Sequence, residues 1–140
     1  MDAFDADVLI YAAASDHHLG RRVRALFADE ATTTSGAVAG IGSVLLIPEL
    51  LTKPMRDGAE AELEALSALL ARVELRPVDE ATAELATSLG AIHRLHAADA
   101  VHLATAVAAG ATRFITNNSA DFTKAITEIE VTYPAELPGP

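Results

Sequence analysis

Short apolar runs alternate along the chain with longer stretches in which apolar residues recur every three or four positions. Phe4 to Tyr11 reads as a strand, its run Val8-Leu9-Ile10-Tyr11 typical of one buried on both faces. Ser15-Asp16 can cap a helix from His18 to about Glu30, with Leu19, Val23, Leu26 and Phe27 as its apolar stripe. Ala31 to Gly42, rich in Thr, Gly and Ala, reads as a connection or a short strand. Val44 to Ile47 fits a strand or the first turn of a helix containing Glu49, and Pro48 marks a break or a helix start. Leu63, Leu66, Leu69 and Leu70 predict an amphipathic helix over Asp57 to Val73. A strand from Val73 to Val78, a helix from Asp79 to about Leu95 and a buried helix from Ala97 to Ala109 follow, the last stopped by Gly110. Arg113 to Thr116 reads as a strand, Ala120 to Ile126 as a short helix and Glu130 to Tyr133 as a final strand. This alternation predicts an α/β protein, a three-layer α/β/α sandwich with a central, mostly parallel sheet. Residues 1–136 form one domain in this reading, Leu137 to Pro140 a loose tail, and the first strand lies near the middle of the sheet.

Composition narrows the class. With 140 residues, 51% of them apolar and 21% charged, the chain can build one core and is no disordered polyelectrolyte. Cysteine is absent, which removes disulfides and thiolate metal sites and suits a reducing cytoplasm. No stretch approaches the roughly eighteen clean apolar residues of a spanning helix, so no membrane association is expected. The N-terminal residues carry acids and no Lys or Arg before their apolar run, the reverse of a secretory signal. Ten Lys plus Arg against twenty Asp plus Glu give a net charge of −10. Such a surface repels nucleic acid unless cations intervene, and favours a basic partner or a bound divalent metal.

Open α/β sheets bind ligands beyond the carboxyl ends of their strands, so polar residues at the ends of apolar runs carry the candidate chemistry. Asp5 and Asp7 lie in the first apolar segment, where strand alternation would put both on one face. Glu49 follows Val44 to Ile47, Asp99 opens the most apolar helix, and Asn118 and Asp121 follow the strand ending at Thr116. Gathered carboxylates repel and raise one another's pKa, and a hard divalent cation, Mg²⁺ or Mn²⁺, relieves them. Such an ion can activate a water for phosphodiester hydrolysis. Singly, each residue also admits a local role: Asp7 as a cap or pair, Asp99 as a helix N-terminal acid, and His17 and His18 as a solvated helix start. His102, one turn beyond Asp99, reads as a packed or site-rim histidine, Thr116 with Lys124 as structural, and His93 and His96 lack the paired spacing of a zinc site.

The order of these segments resembles the PIN-domain ribonucleases, and within them the toxins of VapBC toxin–antitoxin pairs. F-D-A-D-V-L-I-Y at Phe4 to Tyr11, L-L-I-P-E-L-L-T-K-P at Leu45 to Pro54, A-D-A-V-H-L-A-T-A at Ala98 to Ala106 and F-I-T-N-N-S-A-D-F at Phe114 to Phe122 carry the likeness. The resemblance implies an α/β/α fold, Mg²⁺- or Mn²⁺-dependent endoribonuclease action, homodimerisation and inhibition by a small VapB-type antitoxin. It assigns Asp5, Glu49 and Asp99 as metal-binding and catalytic acids, with Asp121 favoured as the fourth and Asn118, Thr116 and His102 in support. Asn118 stands where many members carry the fourth acid, and Ala6 replaces the hydroxyl residue that usually follows the first. The antitoxin is expected to reach a basic segment into the acidic pocket, and the helix faces Leu63 to Leu70 or Val23 to Phe27 to supply dimer and partner contacts. The rivals are a catalytically impaired PIN-like binding module and a phosphoacceptor receiver domain. The latter needs an acid closing its third strand, where only Asp57, at a helix start, is near.

Overall fold

The computed structural model describes residues 1–28 and 38–139. Among the described residues the elements run β1 (Asp2–Phe4), α1 (Ala6–Ala13), α2 (His18–Phe27), β2 (Gly40–Ser43), α3 (Leu46–Asp57), α4 (Glu60–Leu70) and β3 (Val73–Arg76). Then come α5 (Glu80–His93), α6 (Ala97–Ala108), β4 (Arg113–Ile115) and β5 (Glu130–Thr132), closed by a 3-10 turn at Pro134–Glu136. Every strand pairing is parallel, in the order β3-β2-β1-β4-β5, so β1 is central as expected. A receiver domain orders its strands 2-1-3-4-5, and that rival falls with this topology.

Strand alternation divides the core into two layers. Ala3 and Phe114 point to one face and pack with Leu89, Ala100, Leu103 and Ala104 of α5 and α6. Phe4 and Ile115 point to the other, against Val8 and Leu9 of α1, Val23 of α2, Leu46 and Leu50 of α3 and Leu66 of α4. Each fully buried large side chain contributes about 1.5–3 kcal/mol, enough for a two-sided core to hold strands only three or four residues long. At the ends of β1 and β4 opposite the site, Arg113 donates to both carboxylate oxygens of Asp2, at 2.8 and 2.9 Å.

Several expectations are corrected. Phe4 to Tyr11 is not one strand: β1 ends at Phe4, Asp5 caps a helix, and Val8, Leu9 and Ala12 form its buried stripe while Ile10 is 44% exposed. A short apolar run cannot by periodicity alone be told from a buried helical segment. Of the two readings for Ala31 to Gly42, the short strand holds at its end: β2 is Gly40–Ser43, where a Cβ on Gly40 would overlap the Phe4 ring and one on Gly42 the Leu46 side chain. Close packing selects glycine there at the expense of strand propensity. The helix expected over Asp57 to Val73 starts at Glu60, because Gly58, at φ +67°, ends α3 and turns the chain. α2 is capped by His17, whose Nδ1 accepts the Gly20 N–H at 3.2 Å, rather than by Ser15-Asp16. Residues 120–126 form turns and no helix. Leu137, placed at the start of the expected tail, is buried in the second core layer, and Arg22 donates to its carbonyl at 3.0 Å. Residues 29–37 of the expected helix end and connection, and Pro140, lie outside the described residues. Within the two segments expected to leave apolar surface for partner contacts, Val23, Phe27, Leu66 and Leu70 are buried in the core, while Leu63 and Leu69 are half-buried. No described helix is long and apolar enough to cross a membrane.

Asp79 shows how a cap fixes one of these helices. Its Oδ1 accepts the Thr82 N–H at 2.8 Å and the Thr82 hydroxyl at 2.7 Å, bonds that hold its carboxyl below the ordinary value of 3.8. A depressed carboxyl stabilises the fold above its unfolded pKa and loses that contribution as pH falls through its folded pKa. Asp79→Ala therefore lowers the unfolding midpoint at neutral pH, and the difference from the parent closes below about pH 4. Denaturant titrations of both proteins across pH check this; a gap unchanged at acid pH would exclude the charged cap as its source.

Candidate metal centre and active site

With all strands parallel, their carboxyl ends share one side of the sheet, and the chain crosses from β3 at one edge to β4 beyond β1. The strand order thus reverses between β1 and β4, where such sheets open their crevice. Asp5 follows β1 and Thr116 follows β4, and the two meet: the Thr116 hydroxyl donates to Asp5 Oδ2 at 2.7 Å. Asp5 Oδ1 accepts the Ala6 N–H at 2.8 Å as the cap of α1, and the residue is only 6% exposed. The Asn118 N–H donates to Thr116 Oγ at 3.1 Å, so one hydroxyl ties the β4 loop to the acid after β1.

The other acids come from three more elements. Asp7, in the first turn of α1, accepts the Asn117 N–H on Oδ2 at 3.0 Å, while its buried Oδ1 has no partner. Glu49, in the first turn of α3, accepts on Oε1 from His102 Nε2 at 2.8 Å; His102 is buried and its Nδ1 is unpartnered. Asp99 sits in the first turn of α6, one turn before His102. Asp121 is held by a reciprocal pair: Asn118 Nδ2 donates to its Oδ2 at 2.9 Å and its own N–H donates to Asn118 Oδ1 at 3.3 Å.

These carboxylates act on one another. Burial, opposed by the Thr116 bond, pushes Asp5 up. Burial and then the charge of Asp5 push Asp7 up to about 7. Burial followed by the charges of Asp5 and Asp121 raises Asp99, with Glu49 adding less. Among the described residues no Lys or Arg pairs with any of them. His96, Asp99 and Asp121 can each offer one ligand atom, all within 4.8 Å of one another. A donor set of carboxylate oxygens with one imidazole, beside an unpartnered Asp7 oxygen, fits a hard or borderline divalent cation.

Of the residues expected from sequence, the structure brings Asp99 and Asp121 within common ligand distance, joins Asp5 to Thr116 and Asn118 to Asp121, and ties Glu49 to His102. It does not put Asp5 or Glu49 in the same tight triad as His96; both Asp5 oxygens and Oε1 of Glu49 are engaged by the protein's own donors. Asp7 and His96 are the residues that sequence reasoning set aside. The spacing His96-x-x-Asp99 across a helix start is the signal that could have found the histidine. Lys124, bound to the Val131 carbonyl at 2.6 Å and to Glu136 at 2.7 Å, is structural.

The family model of the PIN domain matches residues 3–128. No curated protein matches the chain. Among solved structures, a toxin–antitoxin complex from Klebsiella pneumoniae is 19% identical at a TM-score of 0.57, covering 93% of this chain and 99% of that one. VapBC2 from Rickettsia felis, bound to a DNA fragment from its promoter, is 17% identical at 0.69 (94% and 97%). FitAB bound to an IR36 DNA fragment is 18% identical at 0.66 (99% and 98%). The TM-scores, at these low identities, show a shared fold.

Proposed function

Because the chain belongs to the PIN-domain family, we propose that it is a metal-dependent endoribonuclease acting as the toxin of a toxin–antitoxin pair. The observation that carries this reading is the gathering of Asp5, Asp7, Asp99 and Asp121 at the reversal of strand order, unrelieved by any Lys or Arg among the described residues. Asp99, Asp121 and His96 would hold Mg²⁺ or Mn²⁺, with Asp5 and Glu49 completing the acidic wall. When bound, the ion lowers the pKa of a water and stabilises charge on the phosphoryl oxygens.

The chain's own groups fix that wall. Thr116 orients Asp5, the Asn118 amide orients Asp121, and His102 holds Glu49 against the mouth of the site. Asn118 therefore supports the acid three residues on, which favours an intact site over the impaired binding module. Cleavage of single-stranded RNA by the purified protein, dependent on added Mg²⁺ or Mn²⁺ and abolished by chelation, tests the reading. Antitoxin binding without cleavage would select the binding module instead. The structures named above as toxin–antitoxin complexes support a small antitoxin as partner, its basic segment meeting these acids, with a homodimer as the working unit in the cytoplasm.

His96 gives a sharper expectation. Imidazole prefers first-row transition ions over Mg²⁺, so His96→Ala weakens Mn²⁺ binding by about tenfold and Mg²⁺ binding by less than about twofold. Calorimetric titration of each ion checks this, and equal losses would remove His96 from the ligand set.

A further inference from the structure

The chain carries −10 net charge and yet, on the reading above, handles a polyanion. Seven of its ten Lys and Arg side chains already donate to carboxylates or backbone carbonyls, including Arg22, Arg24 and Arg72. Arg21, Lys53 and Arg94 are left without a partner among the described residues. Arg94 lines a cleft together with an acid of the site: a depression of about 430 Å³ bounded by Ile92, His93, Arg94, Ala120, Asp121 and Thr123. The neighbouring His93 is occupied, its Nε2 lying 3.0 Å from both Glu128 oxygens, so Arg94 is the cation this cleft offers to a ligand.

The backbone singles out the same residue. Arg94 ends α5 at φ 57°, ψ 45°, and is the only described non-glycine residue with positive φ. Helices ending this way ordinarily carry glycine, whose missing Cβ avoids the clash; among the described residues both other positive-φ positions, Gly58 and Gly110, do so. Arg94 is exposed, sits in a conformation that favours glycine and its side chain has no hydrogen bond or ion pair among the described residues, so the cap itself gives no reason for an arginine there.

We propose that Arg94 is a substrate-binding residue, its guanidinium taking a phosphate of single-stranded RNA beside the one cleaved. The inference rests on the ribonuclease reading. Asp121 marks where the scissile phosphate sits, and a strand leaving that point along the cleft carries its next anionic group past Arg94, with exposed Ile92 offering an apolar surface to a sugar or base. A planar fork with five donors suits phosphate, and in a chain this acidic one unpaired cation at the mouth decides where the backbone can lie.

The test is Arg94→Gly, with Arg94→Lys beside it, assayed on a short single-stranded RNA across a salt series. Arg94→Gly is expected to raise KM about tenfold, the loss carried by KM rather than kcat, and to flatten the dependence of log(kcat/KM) on log salt by about 0.7, the share of one single-strand phosphate. It is also expected to raise the thermal midpoint, because glycine relieves the left-handed conformation. Arg94→Lys keeps the salt slope and recovers part of the affinity. Unchanged KM and slope in Arg94→Gly would overturn the proposal, as would a fall in thermal midpoint that tracks the activity loss. Intact RNA kinetics with lost self-association would assign the residue to a protein contact instead and equally overturn it. Absence of RNA cleavage by the parent protein would be a failure of the ribonuclease reading itself, seen before any Arg94 variant is compared.

Discussion

Asp99→Asn lowers RNA cleavage by about 10²-fold or more and leaves the thermal midpoint unchanged or higher. The two effects separate because the carboxylate is useful to the reaction and unwelcome to the fold. Burial and the neighbouring charges of Asp5 and Asp121 raise its pKa, so the ionised form is disfavoured in the native state relative to the unfolded chain. An amide of the same shape removes that repulsion and removes with it a charged oxygen that a divalent ion needs. The measurement is kcat/KM on a single-stranded RNA alongside thermal unfolding in chelator. A parallel collapse of stability and activity would make Asp99 a structural acid.

Gly20→Ala destabilises the protein by about 3 kcal/mol, a drop of roughly 10 °C in thermal midpoint. Helix propensity alone argues the opposite sign, by about 1 kcal/mol. The reason is the approach of α2 to α1: a Cβ at position 20 would overlap the backbone carbonyl oxygen of Tyr11, and no side-chain rotation can relieve a clash with backbone. Tyr11 also stacks on His17 at 4.2 Å, and its hydroxyl accepts from Asn117 Nδ2 at 3.3 Å. The damage therefore reaches the loop that anchors Asp7, and RNA cleavage falls below what the loss of folded protein explains. Differential scanning calorimetry with activity corrected for folded fraction checks both parts. A variant as stable as its parent would show that the two helices can separate without penalty.

The residues best legible in the sequence were those whose environment contradicts them. Asp99 among Ala97, Ala98, Ala100 and Val101, and Glu49 behind Val44 to Ile47, stand out because apolar neighbours make an acid conspicuous. Asp5 is conspicuous too, but the sequence leaves its setting ambiguous between a strand and a helix cap. Side-chain capping of α1 and a strand end look alike when the apolar run is only four residues long. β2, one of two readings for Ala31 to Gly42, is only partly legible for another reason. Gly40 and Gly42 are there because neighbouring side chains leave no room for a Cβ, a tertiary demand that no local propensity expresses. Asp7 is a candidate in the sequence but equally fits a local cap or pair, and His96, without the paired spacing of a zinc site, fits an exposed helix start.

The bond between Thr116 and Asp5 joins residues 111 positions apart, and the Asp2–Arg113 pair spans the same interval. On a translating ribosome, on the order of 10 s of synthesis separates the emergence of β1 from that of β4. During that interval β1 can pair on its β2 side only, and its other edge stays open to whatever strand it meets, a hazard for aggregation that a chaperone would have to manage. Closing so long a loop comes late and slowly in folding. A nascent or truncated chain ending before Thr116 thus displays Asp5 and Glu49 without the hydroxyl that orients the first and without Asp121, so the acidic wall is complete only in the finished product.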